Sequence, residues 1–245
     1  MQISFYRERE GLAAFGALAI ALSLLIGLFF GAGLSYDEKT VNTSAVNQGK
    51  RTVIIDAGHG GEDCGAIGIN GVYEKDLNFE ISLKLGEYLT GAGYRVIYTR
   101  TDDKLLYTEA ENIKGMRKIY DLKNRVAIAN EHEDALFISI HMNSYGSPSA
   151  SGLQVYYSGN NDSSRIIAEG IQKEVRSRIQ PNNKRSVKSG ENIYLLENAK
   201  GDAILIECGF ITNSEECNKL SEKEYQKELC FAILCGIINY EENKK

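Results

Sequence analysis

Proline is almost missing from this chain of 245 residues, which has only two. No Pro-rich or Ser-rich linker divides it, and neither internal repeats nor low-complexity tracts are present. The five cysteines, Cys64, Cys208, Cys217, Cys230 and Cys235, are odd in number and form no CxxC pair. That argues against a zinc ribbon or a disulfide framework. Cys208 lies in a strand-like and Cys230 in a helix-like apolar context, where free thiols act as small buried hydrophobes. An excess of basic charge is also lacking. The net charge of -5 argues against a general nucleic-acid binder, so no nucleic-acid partner is expected. The glycine cluster Gly58–Gly61 has no GK[ST] ending and is not a phosphate loop of the Walker A type.

A hydrophobic fraction of 43% and a charged fraction of 25% are those of a folded domain. The first forty or so positions look non-globular, which leaves about 200 residues for one domain with a substantial core. Gly11 to Tyr36 carries no charge, and its centre is nearly all Ala, Leu, Ile, Phe and Gly. A run of about 20 such residues spans a bilayer. Arg7 and Arg9 precede it and Asp37 and Glu38 follow, an order that exports the rest of the chain. Residues 1–36 are therefore expected to be a membrane anchor. A signal peptide cleaved near Gly31-Ala32-Gly33 is the alternative. Residues 37–50 read as a polar tether and residues 51–241 as the catalytic domain, which is expected to work outside the cytoplasm.

Within that domain, short apolar runs alternate with helix-period stretches. Thr52–Ala57, Tyr94–Thr99, Ala135–Ile140, Gly152–Tyr157 and Ala203–Glu207 read as strands. Glu74–Leu89, Asp121–Asn130, Ser163–Ile179 and Glu222–Asn239 read as helices. Alternation of this kind predicts an α/β fold with a central, mostly parallel sheet and helices on both faces.

Chemistry gathers where the apolar runs stop. His59 follows the first strand on a glycine turn, His141 follows the third, and Glu207 closes the fifth. Glu74 opens the first helix. The carboxyl ends of parallel strands line the ligand crevice of an α/β sheet. Two His and one Glu form a familiar catalytic zinc ligand set, and a fourth carboxylate beside them can act as general base. Taken singly, each residue has a plainer reading. A strand-end histidine is often a hydrogen-bonded rim residue, Glu74 suits a helix amino end, and Glu207 fits a buried acid paired with Arg or Lys. His132 sits in an acidic loop and reads as solvated surface. Asp76 and Asn143 are neighbours of ligand candidates, either orienting them or serving as local caps. Tyr156, Tyr157 and Tyr194 fit a sugar groove or half-buried strand packing.

Four stretches in order carry a family resemblance. They are Ile55-Asp56-Ala57-Gly58-His59-Gly60-Gly61, Glu74-Lys75-Asp76, Ser139-Ile140-His141-Met142-Asn143-Ser144 and Ile206-Glu207-Cys208-Gly209-Phe210-Ile211-Thr212-Asn213. Together they resemble the zinc-dependent N-acetylmuramoyl-L-alanine amidases of bacteria, over about Thr52 to Tyr240. The resemblance implies Zn2+ held by His59, Glu74 and His141, with Glu207 as the catalytic glutamate. It also implies peptidoglycan as substrate, cut at the amide between the lactyl group of N-acetylmuramic acid and L-alanine. The compact build, without wall-binding repeats, is similar to the germination-specific subfamily of spore-formers. That subfamily trims cortex peptidoglycan on the way to muramic δ-lactam, and some members depend on a partner lipoprotein. A vegetative autolysin, a non-catalytic peptidoglycan binder and a carboxypeptidase with the same ligand types are the alternatives.

Overall fold

The computed structural model describes residues 50–243. The expected anchor and most of the tether lie outside the described residues. No described helix is long and apolar enough to cross a membrane.

The elements, in chain order, are β1 (Lys50–Ala57), α1 (Glu74–Gly91), β2 (Tyr94–Tyr98), α2 (Arg117–Asn130), β3 (Leu136–Asn143), β4 (Gln154–Tyr157), α3 (Asp162–Arg178), β5 (Lys188–Ser189), α4 (Tyr194–Asn198), β6 (Asp202–Phe210), α5 (Ser214–Ser221) and α6 (Lys223–Asn243). The six strands form one sheet in the order β2-β1-β3-β6-β4-β5. Strands β2, β1, β3 and β6 run parallel. The β4 strand runs antiparallel to β6, and β5 follows β4. The sheet is thus mostly parallel, as expected, and β4 against β6 is its one antiparallel pairing among the described residues. The cause lies in the connection from β3 to β4, which contains no helix. A parallel return needs a crossover of a dozen or more residues, usually helical. The chain instead turns back directly and leaves a gap beside β3 that β6 later fills.

Strands buried on both faces need apolar residues on both. On one face Val53, Ile55, Ile138, Ile140, Ile204 and Ile206 pack under α1, α3 and α6, which present Leu77, Ile81, Ile171, Val175, Leu229 and Ile233. On the other, Ile54, Phe137, Ala203 and Leu205 meet Val126 and Ala129 of α2 and Leu195 and Leu196 of α4. Cys208 and Cys230 are free and buried in the first of these cores. All three helices of the large face repeat apolar residues every three or four positions, the stripe that a helix turns toward a sheet.

Two boundaries bear on the site. The α2 helix begins at Arg117, a full turn before the expected Asp121. The β3 strand runs on to Asn143, so His141 lies inside a strand rather than after one.

Candidate active site

His59 stands just beyond β1, in a turn where it has a left-handed backbone with φ of 63°. A residue with a side chain rarely adopts this conformation, and such strain collects at functional sites. Two buried arginines hold the turn by its carbonyl oxygens. Arg125 donates from Nη1 to the Ala57 oxygen at 2.8 Å and from Nη2 to the His59 oxygen at 2.8 Å. Arg100 donates from Nε to the Ala57 oxygen at 2.9 Å.

Arg125 is 1% exposed and needs counter-charges. It finds Asp56 at 2.6 Å and Asp121 at 2.8 Å. Asp56 also accepts from Thr99 at 2.7 Å and Ser139 at 2.6 Å. Burial opposes its ionisation, yet Arg125 and these two hydroxyls hold its carboxyl below the usual range. The result is a fully paired buried ion network beneath the site.

Glu74 is the first residue of α1, where a carboxylate is favoured by the helix dipole. Its Oε2 accepts from the Ala66 amide at 2.9 Å, and its Oε1 from the Met142 amide at 3.1 Å. Oε1 also lies 3.0 Å from His141 Nδ1 and 3.2 Å from His59 Nε2. Burial again opposes ionisation, and the two histidines overcome it, so Glu74 stays ionised well into acid. The two imidazoles meet edge to face, with centroids 5.0 Å apart. His59, Glu74 and His141 each turn one ligand atom into a common space, all within 4.8 Å of one another. His132, in the turn after α2, is not part of this group.

Close approach explains two glycines. A Cβ at Gly58 would lie 2.2 Å from the His141 ring, and one at Gly65 would lie 2.6 Å from Glu74 Oε2. The side chains of two candidate ligands fill the space that these glycines leave.

Glu207 is the register partner of His141 across the β3–β6 ladder. A bulge follows at once, since the next pair is Asn143 with Phe210. Bulges next to active sites re-aim side chains. Glu207 Oε2 is buried and has no hydrogen-bond partner among the described residues. Burial pushes its carboxyl up, His141 opposes this, and the charge of Glu74 adds to it. The four candidates from the sequence are therefore brought together. An unpaired buried carboxylate oxygen costs free energy, and groups perturbed in this way cluster at functional sites.

The two expected orienting residues are placed differently. Asp76 is exposed on the first turn of α1. Asn143 is half-buried beyond the bulge, where its backbone oxygen accepts from Ile211 at 3.0 Å. Neither side chain hydrogen-bonds a candidate ligand among the described residues. Asp63 does so instead, accepting from His59 Nδ1 at 2.8 Å. Its only sequence signal was a place four residues after His59 in the same turn-rich loop. Of the tyrosines, Tyr156 packs by the second core and its hydroxyl is pushed up by burial and the Glu207 charge. Tyr157 packs against the other core, and Tyr194 is exposed at the start of α4.

Two imidazoles and an ionised carboxylate around a common space, with a basic carboxylate beside them at the edge of an α/β sheet, define a class: a hydrolase with a candidate metal centre. The comparisons narrow it. The Amidase_3 family model, described as N-acetylmuramoyl-L-alanine amidase, matches residues 53–239, and the chain belongs to this family. It is similar to the germination-specific N-acetylmuramoyl-L-alanine amidase of Bacillus subtilis, with 36% identity over 190 residues, 78% of this chain and 79% of that protein. The N-acetylmuramoyl-L-alanine amidase LytC of the same organism is 31% identical over 82% of this chain and 38% of its own length. Among solved structures, the CwlD amidase from Clostridioides difficile, in complex with the GerS lipoprotein, is similar at 38% identity. Its TM-score is 0.75, with 78% of this chain and 98% of that one covered.

Proposed function

We propose that this amidase uses His59, Glu74 and His141 as ligands to Zn2+ and Glu207 as general base. In this reading it cuts the bond between the lactyl group of N-acetylmuramic acid and L-alanine in peptidoglycan. The donor set fits the metal, since two imidazoles and one carboxylate leave a position open for substrate or water. Bound there, zinc supplies Lewis acidity toward the amide carbonyl and toward water. The protein's own groups do the rest. Glu74 stays anionic and orients its Oε1 through the Met142 amide. Glu207 accepts a proton from the attacking water at its unpaired Oε2 and hands it to the departing nitrogen, which an amide requires because its amine leaves only when protonated. The orphaned Oε2 beside the triad is the observation that carries this reading.

The biological setting we propose is the spore cortex, with muramic δ-lactam as the later fate of the trimmed glycan. Two similar proteins support it, the germination-specific enzyme and the lipoprotein-bound CwlD. Residues 1–36 would hold the enzyme at the outer side of the cytoplasmic membrane, and a lipoprotein is a fitting partner there.

The test is incubation of the purified protein with cortex and with vegetative peptidoglycan, with and without zinc, and product identification by mass spectrometry. Release of peptides beginning with L-alanine, faster from cortex, is expected. Faster release from vegetative wall would assign the enzyme to cell separation instead. Free amino acids from the stem would mark a carboxypeptidase, and intact muropeptides a binding protein.

A further inference from the structure

The helix α2 grips the His59 loop at three points. Arg117 Nη1 meets Glu62 Oε2 at 2.6 Å, Lys118 Nζ meets Asp63 Oδ1 at 2.6 Å, and Arg125 reaches the His59 carbonyl. The middle contact differs from the others because it continues to the imidazole of a candidate ligand. Asp63 divides its two oxygens. Oδ2 accepts from His59 Nδ1 at 2.8 Å, and Oδ1 takes Lys118. The Asp63 side chain is 13% exposed, while Lys118 is 67% exposed.

An imidazole that binds metal through Nε2 must carry its proton on Nδ1, and the group that accepts that proton sets both tautomer and ring angle. The left-handed backbone of His59 gives the ring no support from a regular element. Its orientation therefore rests on Asp63. The Asp63 carboxylate in turn is free to rotate unless its second oxygen is held. The Gly65 amide reaches Oδ1 only at 3.4 Å, so Lys118 supplies the short contact.

We propose that Lys118, acting through Asp63, is a positioning residue for His59, so that metal affinity is set in part from the first turn of α2. This rests on the reading of His59 as a zinc ligand. It adds a contribution from an exposed side chain 59 residues further along the chain. An ordinary surface ion pair would add weakly and equally to the stability of the protein with and without metal, and would leave metal affinity alone. A positioning contact instead changes metal affinity and leaves metal-free stability alone.

The experiment measures zinc dissociation constants by chelator competition on the full chain, together with melting temperatures of the metal-free forms. Asp63→Ala is expected to weaken zinc binding about 10- to 100-fold, the range for a lost ligand-orienting partner. Lys118→Met is expected to weaken it about 2- to 5-fold, the share that a partly exposed ion pair can transmit. The metal-free melting temperature of Lys118→Met stays at the unaltered value. In the Asp63→Ala background, Lys118→Met adds nothing, because the path is already cut. Lys123→Met, on the same helix, leaves affinity unchanged in every background. A cobalt-loaded sample adds a spectroscopic readout, since its visible absorption shifts when His59 tilts. Equal zinc affinity in Lys118→Met and the unaltered protein overturns the proposal while leaving the metal site intact. Failure of the unaltered protein to hold zinc overturns both.

Discussion

Alanine at position 58 tests the site by geometry alone. Gly58 is not among the residues with positive φ, so alanine suits its backbone. The difficulty is entirely in space. The added carbon would sit 2.2 Å from Cε1 and Nε2 of His141, whereas ordinary contact begins at 3.4 Å, so about 1.2 Å must be found. Strand β1 cannot yield easily, because the Gly58 amide is bonded to Ile140 at 3.1 Å and the Gly58 carbonyl receives Asn78 at 3.1 Å. The His141 ring must move instead, away from its contact with Glu74. A misplacement of about 1 Å in such a site costs on the order of 100-fold in kcat/KM. Overpacking costs about 1–3 kcal/mol of stability, so the fold survives. The assay compares kcat/KM on muropeptides, bound zinc and the melting curve for Gly58→Ala and for Gly91→Ala, whose added carbon meets nothing within 4 Å. Loss of zinc and activity in the first variant only is expected. Full activity in Gly58→Ala would refute the reasoning, because the His141 ring would then have no required place.

Other outcomes follow from the same contacts. Glu207→Gln should lower kcat about 10²- to 10⁴-fold, the usual share of a general base, with zinc content unchanged. The same variant should melt higher than the parent at neutral pH when metal-free. The folded protein raises the Glu207 pKa above the ordinary 4.5, so its charge is a burden above that raised value, and the difference fades as pH falls through it. By the same sign, kcat/KM should fall on acidification through a value above 4.5, seen as the acidic limb of a pH–rate profile. Arg125→Met leaves Asp56 and Asp121 as buried charges without their cation and should cost about 3–5 kcal/mol in urea unfolding. Chelation should lower the melting temperature to a degree that depends on free zinc, since 100 Kd of ligand is worth about 2.7 kcal/mol.

Much of this was legible in the sequence because buried strands announce themselves. Each apolar run that ended in His59, His141 or Glu207 became a strand with that residue at or near its carboxyl end. The direction of β4 was not legible. A strand of four residues reads the same in either direction, and only the length of the connection decides. The short β5, α4 and α5 were not anticipated, being too brief for periodicity to register. Asp76 looked promising by adjacency, yet two residues along a helix turn the side chain about 200° away from Glu74. Asp63 carried only its place in the His59 loop, and Lys118 carried no signal at all. Their contact joins residues 55 positions apart in polar stretches, and no local rule reports that distance.

The placement of β6 has a consequence for how the enzyme comes into being. It is the last of the described strands, yet it lies inside the sheet, between β3 and β4. Until it arrives, β3 has one open edge and β4 has no partner except the two-residue β5. Closing so long a loop is entropically costly and slow. A chain emerging amino end first therefore holds all three metal-ligand candidates well before it holds Glu207, the proposed base. In the proposed mechanism, hydrolytic competence would switch on with that strand, when the sheet itself is complete.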